Sequence, residues 1–263
     1  MNENPLQSLS LGNFPDLVHL DAANNKLANI SSDTFLGLKS LRYINLGGNG
    51  IEVFPRDTFS VSDNLQRLIL TDNKIKKLNS DQFSSEYNNN IELEEIDLSY
   101  NQLTSLPDNM FWPLRRPVLI NLAHNALGNN LHGFEPNSLS FGEDVWQNEP
   151  IKMVLTSNGI KDVDLTSQTL SHIVQQRLYI ELDLSDNSLT HLNEKVFQPF
   201  LKTNPKSSII LNNNPIKCGD CLNKWLFSDK QVSPKTQIKL IKCSDDSKRS
   251  LSQFTESDYK NCH

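Results

Sequence analysis

One eleven-residue template, LxxLxLxxNxL, returns eight times along this chain and limits what the chain can fold into more than any other feature. It reads Leu17-Leu20-Ala22-Asn25-Leu27, Leu41-Ile44-Leu46-Asn49-Ile51, Leu65-Leu68-Leu70-Asn73-Ile75 and Leu93-Ile96-Leu98-Asn101-Leu103. It continues as Ile120-Leu122-Asn125-Leu127 and Met153-Leu155-Asn158-Ile160, with Pro117 and Pro150 in the first slot, then Tyr179-Leu182-Leu184-Asn187-Leu189 and Ile209-Leu211-Asn214-Ile216. The asparagines are 24, 24, 28, 24, 33, 29 and 27 residues apart, and Phe35, Phe59, Phe83, Phe111 and Phe197 each stand ten residues after one. A unit of this size cannot bury its apolar face alone, so neighbours must stack into a thin continuous core. Composition follows from that geometry: 38 Leu and 31 Asn fill the template, while the hydrophobic class is only 37%, below the usual range of about 45–50%.

Alternation within each Leu-x-Leu predicts a short strand with its leucines inward and the intervening residues on the open face. Asn25, Asn49, Asn73, Asn101, Asn125, Asn158, Asn187 and Asn214 are placed to satisfy backbone groups of adjacent turns, forming a ladder through the stack. The pattern is that of the leucine-rich repeats. The expected fold is therefore an α/β repeat solenoid, a horseshoe with a parallel concave sheet of about eight strands. Residues 17–216 form the repeats. Residues 1–16 read as the second half of a truncated repeat, because Leu6-Leu11-Phe14-Leu17 has the spacing of Ile30-Phe35-Leu38-Leu41. The segment from Met1 carries no basic and apolar leader, and the expectation is that an earlier part of the protein bore a signal peptide.

All four cysteines, Cys218, Cys221, Cys243 and Cys262, fall in the last fifth of the chain. Two local disulfides in an oxidising compartment are the leading reading; a zinc site and a Cys-x-x-Cys redox pair are the alternatives. The run Asn214-Pro215-Ile216-Lys217-Cys218-Gly219-Asp220-Cys221-Leu222-Asn223-Lys224-Trp225-Leu226 resembles the cysteine-rich carboxyl-terminal flank of extracellular leucine-rich repeat proteins. That resemblance implies a cap over 217–263 with Cys218 joined to Cys243 and Cys221 to Cys262, each bond worth roughly 3 kcal/mol. This chain has two residues between its first two cysteines, where the family usually has one. Leu182-Asp183-Leu184-Ser185-Asp186-Asn187, Phe197-Gln198-Pro199-Phe200-Leu201 and Tyr259-Lys260-Asn261-Cys262 further resemble secreted arthropod proteins typified by the non-catalytic subunit of Oplophorus luciferase. Such a resemblance implies a non-catalytic chain that accompanies a partner subunit.

Chemistry-bearing motifs are missing from the sequence. It holds no GxSxG, GxGxxG, P-loop or HExxH, its six histidines lack ligand spacing, and the reading is of no enzyme, no cofactor and no metal. A net charge of −6 argues against a nucleic-acid footprint, and no apolar run approaches the roughly 18 residues of a membrane helix. What remains is surface. The outward slots hold His19, Tyr43, Arg67, Glu95, Leu119, Lys152, Glu181 and Ser208 in one column, and Asp21, Asn45, Ile69, Asp97, Asn121, Val154, Asp183 and Ile210 in the next. Tyr43, Arg67, Ile69, Tyr100 and His124 mix aromatic, cationic and apolar groups as binding hot spots do, so a protein ligand or partner subunit is expected on the concave face. Two further features are the insertion over 126–157, with Phe134, Phe141 and Trp146, and the single glycosylation sequon Asn29-Ile30-Ser31. The leading expectation is a secreted protein-binding module; the alternative is an ectodomain fragment of a cell-surface receptor or adhesion protein.

Overall fold

The computed structural model describes residues 6–12, 14–53, 55, 58–59, 64–80, 82–83, 92–129, 141–142, 145–163, 178–203, 205–227, 234–239, 242–245 and 249–262. Each Leu-x-Leu core forms a short strand: β1 (His19–Asp21), β2 (Tyr43–Asn45), β3 (Arg67–Ile69), β4 (Glu95–Asp97), β5 (Leu119–Asn121), β6 (Ile151–Val154), β7 (Ile180–Asp183) and β8 (Ser208–Ile210). They pair in parallel and in sequence order. The register superposes the template, so Leu20, Ile44, Leu68 and Ile96 lie side by side and are almost fully buried. The sequence leads to about eight strands, and among the described residues the sheet has nine. The extra one, β9 (Ile238–Lys239), comes from the cysteine-rich end and pairs with β8.

The asparagines explain why the turns repeat. Asn73 donates from Nδ2 to the carbonyls of Leu46 and Leu70, both at 3.0 Å, while its Oδ1 accepts the Ile51 N–H at 3.0 Å. Asn49, Asn101, Asn125, Asn158, Asn187 and Asn214 likewise donate from Nδ2 to a carbonyl of the preceding unit and to the carbonyl three residues earlier in their own. Asn25 accepts from the Leu6 N–H at 3.3 Å. The residue before each ladder asparagine has positive φ: Asn24, Gly48, Asp72, Tyr100, His124, Ser157, Asp186 and Asn213. Glycine has a second reason at position 48, where an added Cβ would collide with the Asn24 side chain.

On the opposite side of the core the phenylalanines stack, Phe35 on Phe59 at 5.5 Å and Phe83 on Phe111 at 6.3 Å. The insertion contributes to this spine, because Phe141 is buried and stacks on Phe111 at 6.1 Å. The amino-terminal alignment needs correction. Leu6 takes the hydrogen-bonding position of Leu27, not Ile30: its N–H meets a ladder Oδ1 as Leu27 N–H meets Asn49, and its carbonyl accepts Lys26 N–H as Leu27 carbonyl accepts Gly50 N–H. Phe14 keeps the backbone position of Leu38, its carbonyl accepting the Leu17 N–H as the Leu38 carbonyl accepts the Leu41 N–H, but its side chain is 58% exposed where Leu38 is buried.

The carboxyl-terminal segment covers the last repeat. Cys218 is bonded to Cys243 and Cys221 to Cys262, so none of the four sulfurs is a free thiolate for zinc or redox exchange. Trp225 is buried and donates from Nε1 to the Leu192 carbonyl at 3.0 Å. Asn223, outside the template, extends the ladder by accepting the Leu192 N–H and donating to the Lys217 carbonyl. Helix α1 (Glu194–Thr203) packs beside it. Among the described residues no helix is long and apolar enough to cross a membrane.

Candidate functional site

The parallel register brings the outward side chains of successive strands to about 4.8 Å spacing, close enough for planar groups to stack. His19 and Tyr43 do so with ring centroids 4.2 Å apart and an interplanar angle of 12°. The Arg67 guanidinium covers the other face of Tyr43 at 5.6 Å, and its Nε meets Glu95 Oε2 at 2.6 Å. The bond to Glu95 raises the Arg67 pKa, against a smaller opposing effect of burial. An imidazole, a phenol, a guanidinium and a carboxylate thus form one row across β1 to β4. His19 stands outside the five expected contact residues, and its place in the same outward column as Tyr43 is the signal that it belongs to the row.

In the second column, five of the eight side chains hold the strand ends. Asp21, Asn45, Asp97, Asn121 and Asp183 each accept the N–H two residues ahead, at 2.9 to 3.1 Å. Ile69 gives up that bond and presents a partly exposed apolar side chain beside Asp97. Tyr100 and His124 lie beyond the strands, in the positive-φ turns, and stack on one another at 4.1 Å and 14°. The five residues proposed as one cluster therefore form two stacks, Tyr43 with Arg67 on the sheet and Tyr100 with His124 on its rim, with Ile69 on β3.

Farther along, Lys239 of β9 reaches Glu181 of β7 at 2.6 Å and Ser208 lies 3.4 Å from the same carboxylate. The Lys239 bond is the main cause of the lowered Glu181 pKa, opposed by burial. The eight-unit template offers no signal for Lys239, because its strand is not a repeat. Of the insertion's aromatics, Phe141 belongs to the core, Trp146 is 73% exposed, and Phe134 lies outside the described residues. Asn29 is exposed and the following Ile30 is buried.

The sequence model of the family described as Leucine rich repeat matches residues 1–51, 15–75 and 63–127. The chain has the leucine-rich repeat fold. It is 33% identical over 136 residues to Tsukushi of Gallus gallus, covering 43% of this chain and 36% of that protein. It is 28% identical over 211 residues to Toll-like receptor 3 of Homo sapiens, covering 73% of this chain and 21% of the receptor. The repeat chain therefore spans well under half the length of either relative. Among solved structures, human 5T4 (Wnt-activated inhibitory factor 1, trophoblast glycoprotein) superposes with a TM-score of 0.59 at 19% identity, covering 97% of this chain and 92% of that one. At that identity the likeness is one of fold.

Proposed function

We propose that this leucine-rich repeat chain is a secreted, non-enzymatic binding protein whose concave sheet receives another protein, with Tyr43, Arg67, Ile69, Tyr100 and His124 as contact residues. The observation that carries the reading is the row His19, Tyr43, Arg67 and Glu95. Its side chains are already held in place by one another, so a partner meets a preordered surface and less side-chain entropy is lost on binding. Tyrosine and arginine are also the residue types that carry most binding energy at interfaces. The repeats over 17–216 supply the surface, the segment over 217–263 closes the core, and Asn29 is an accessible glycosylation site. Resemblance of residues 179–262 to the non-catalytic luciferase subunit favours a companion role beside another chain.

A second reading, the ectodomain of a cell-surface receptor, is favoured by the match to Toll-like receptor 3 over 73% of this chain. One experiment tests the binding face under both readings. Secreted wild-type protein and the Tyr43→Ala/Arg67→Ala variant are used for affinity capture from extracellular fluid of the source tissue, and the captured protein is purified and titrated against each. The expected result is at least tenfold weaker binding by the variant. Equal affinity would remove this face from the interaction.

A further inference from the structure

The row on β1 to β4 is a complete arrangement: imidazole on one face of a tyrosine, guanidinium on the other, and a carboxylate holding the guanidinium. The rim carries three of these four group types on successive turns, a carboxylate at Asp72, a phenol at Tyr100 and an imidazole at His124. His124 covers one face of Tyr100. The turn on the side away from His124 is that of Asp72, whose N–H bonds to the Ser99 carbonyl at 3.0 Å, directly before Tyr100. Tyr100 is 55% exposed and Asp72 is exposed. Among the described residues Tyr100 has no ring contact besides His124, and the Asp72 carboxylate has no hydrogen bond or ion pair.

We infer that the open face of Tyr100, backed by Asp72, is a clip for an arginine side chain of the protein partner. Three further observations point the same way. First, the slot requires positive φ in every repeat and is otherwise filled by Asn24, Gly48, Asp72, Ser157, Asp186 and Asn213, with His124 beside it. A bulky aromatic residue is disfavoured in that conformation, so Tyr100 brings exposed ring surface at a conformational cost. Second, the ring's π face and the neighbouring carboxylate both attract a planar cation, and a guanidinium satisfies both at once by stacking and hydrogen bonding. Third, the rim is connected to the acidic side of the sheet, where Asp97 bonds to Ser99, the residue before Tyr100. An arginine arriving here meets negative potential from Asp72 and Asp97.

This clip deepens the proposed protein-binding role, yet it is testable without a partner. The probe is Nα-acetyl-arginine methylamide, with the lysine counterpart for comparison, titrated into the isotope-labelled full chain and followed by NMR chemical shifts. Saturable shifts are expected at Asp72, Tyr100 and His124, with the lysine probe weaker. Tyr100→Ser and Asp72→Asn place in the slot residue types that other turns already carry at 157, 24 and 213, so both variants fold. Each should weaken the arginine probe by about fivefold or more. Arg67→Ala should open a second site at Tyr43, backed by Glu95, which wild type does not show. The inference is overturned if the wild-type shifts are absent, or if they persist unchanged in Tyr100→Ser and Asp72→Asn. Failure of this titration leaves the sheet-face capture result intact, so the two claims fall separately.

Discussion

Replacing Asn101 by Ala should damage the solenoid out of proportion to the atoms removed. Asn101 Nδ2 donates to the carbonyls of Leu70, Leu98 and Ser99 at 2.9, 3.0 and 3.1 Å, and Oδ1 accepts the Ile75 N–H at 3.0 Å. The three carbonyls keep another donor each: Asn73 Nδ2, Asn125 Nδ2 and Asp72 N–H. Ile75 N–H loses its acceptor in a fully buried position, at a cost of about 1–3 kcal/mol. The weakened carbonyl bonds add about 1 kcal/mol, for a total of about 2–4. Asn101→Asp should be worse despite its shape, because a carboxylate would face three carbonyl oxygens with no proton to donate. Urea unfolding with intact disulfides gives the global value, and amide exchange at Ile75 gives the local one. A loss below about 1 kcal/mol with unchanged Ile75 protection would refute the reasoning that the ladder satisfies otherwise orphaned groups.

Phe83→Ala, which removes a fully buried ring from the stack on Phe111, should lose about 3–5 kcal/mol in the same assay. Removing one disulfide with Cys221→Ser/Cys262→Ser opens a loop with a sequence separation of 41 and should cost about 4 kcal/mol in the chain-entropy model, read as a lower urea midpoint. Arg67→Ala should change stability by less than about 1 kcal/mol, because its ion pair is exposed to solvent, so any binding loss in that variant is not an unfolding effect. Among the described residues two carboxyls are held below their usual range: Lys239 lowers Glu181, and Arg249 with the Thr255 N–H lowers Asp258 to about 2. Since both folded values lie below the unfolded ones of about 4, their stabilisation is present above pH about 4 and is lost as pH falls through the folded values, about 2 for Asp258. Asp258→Asn should flatten that part of a stability against pH curve.

The repeats were legible in the sequence because each slot is set by geometry that recurs. Inward leucines, ladder asparagines and the Phe spine obey fixed spacing, so the parallel sheet could be read before any coordinates. What escaped was what the template does not contain. β9 pairs at the end of the array with only Ile238 and Lys239 in strand, too short for a periodic signal. Phe141 reaches the spine from an insertion of different length, and Asn223 extends the ladder from a 3-10 helix. Leu6 was misaligned because the first described loop is shorter than its successors: Leu6 to Leu17 spans three residues fewer than Leu27 to Leu41. For the candidate site, the columns gave Tyr43 and Arg67 as neighbours. They could not give stacking, which depends on rotamers, or the separation of Tyr100 and His124 onto the rim, which depends on the positive-φ turn.

The most direct measurement places a photo-crosslinking amino acid at one position at a time on the secreted protein. Positions 19, 69 and 119 lie on the sheet face, and 36, 52 and 76 are exposed positions off its strands. Irradiation follows in the presence of the captured partner. Adducts concentrated at 19, 69 and 119 are the predicted outcome. Adducts confined to 36, 52 and 76 would contradict the claim that the sheet face is the binding surface.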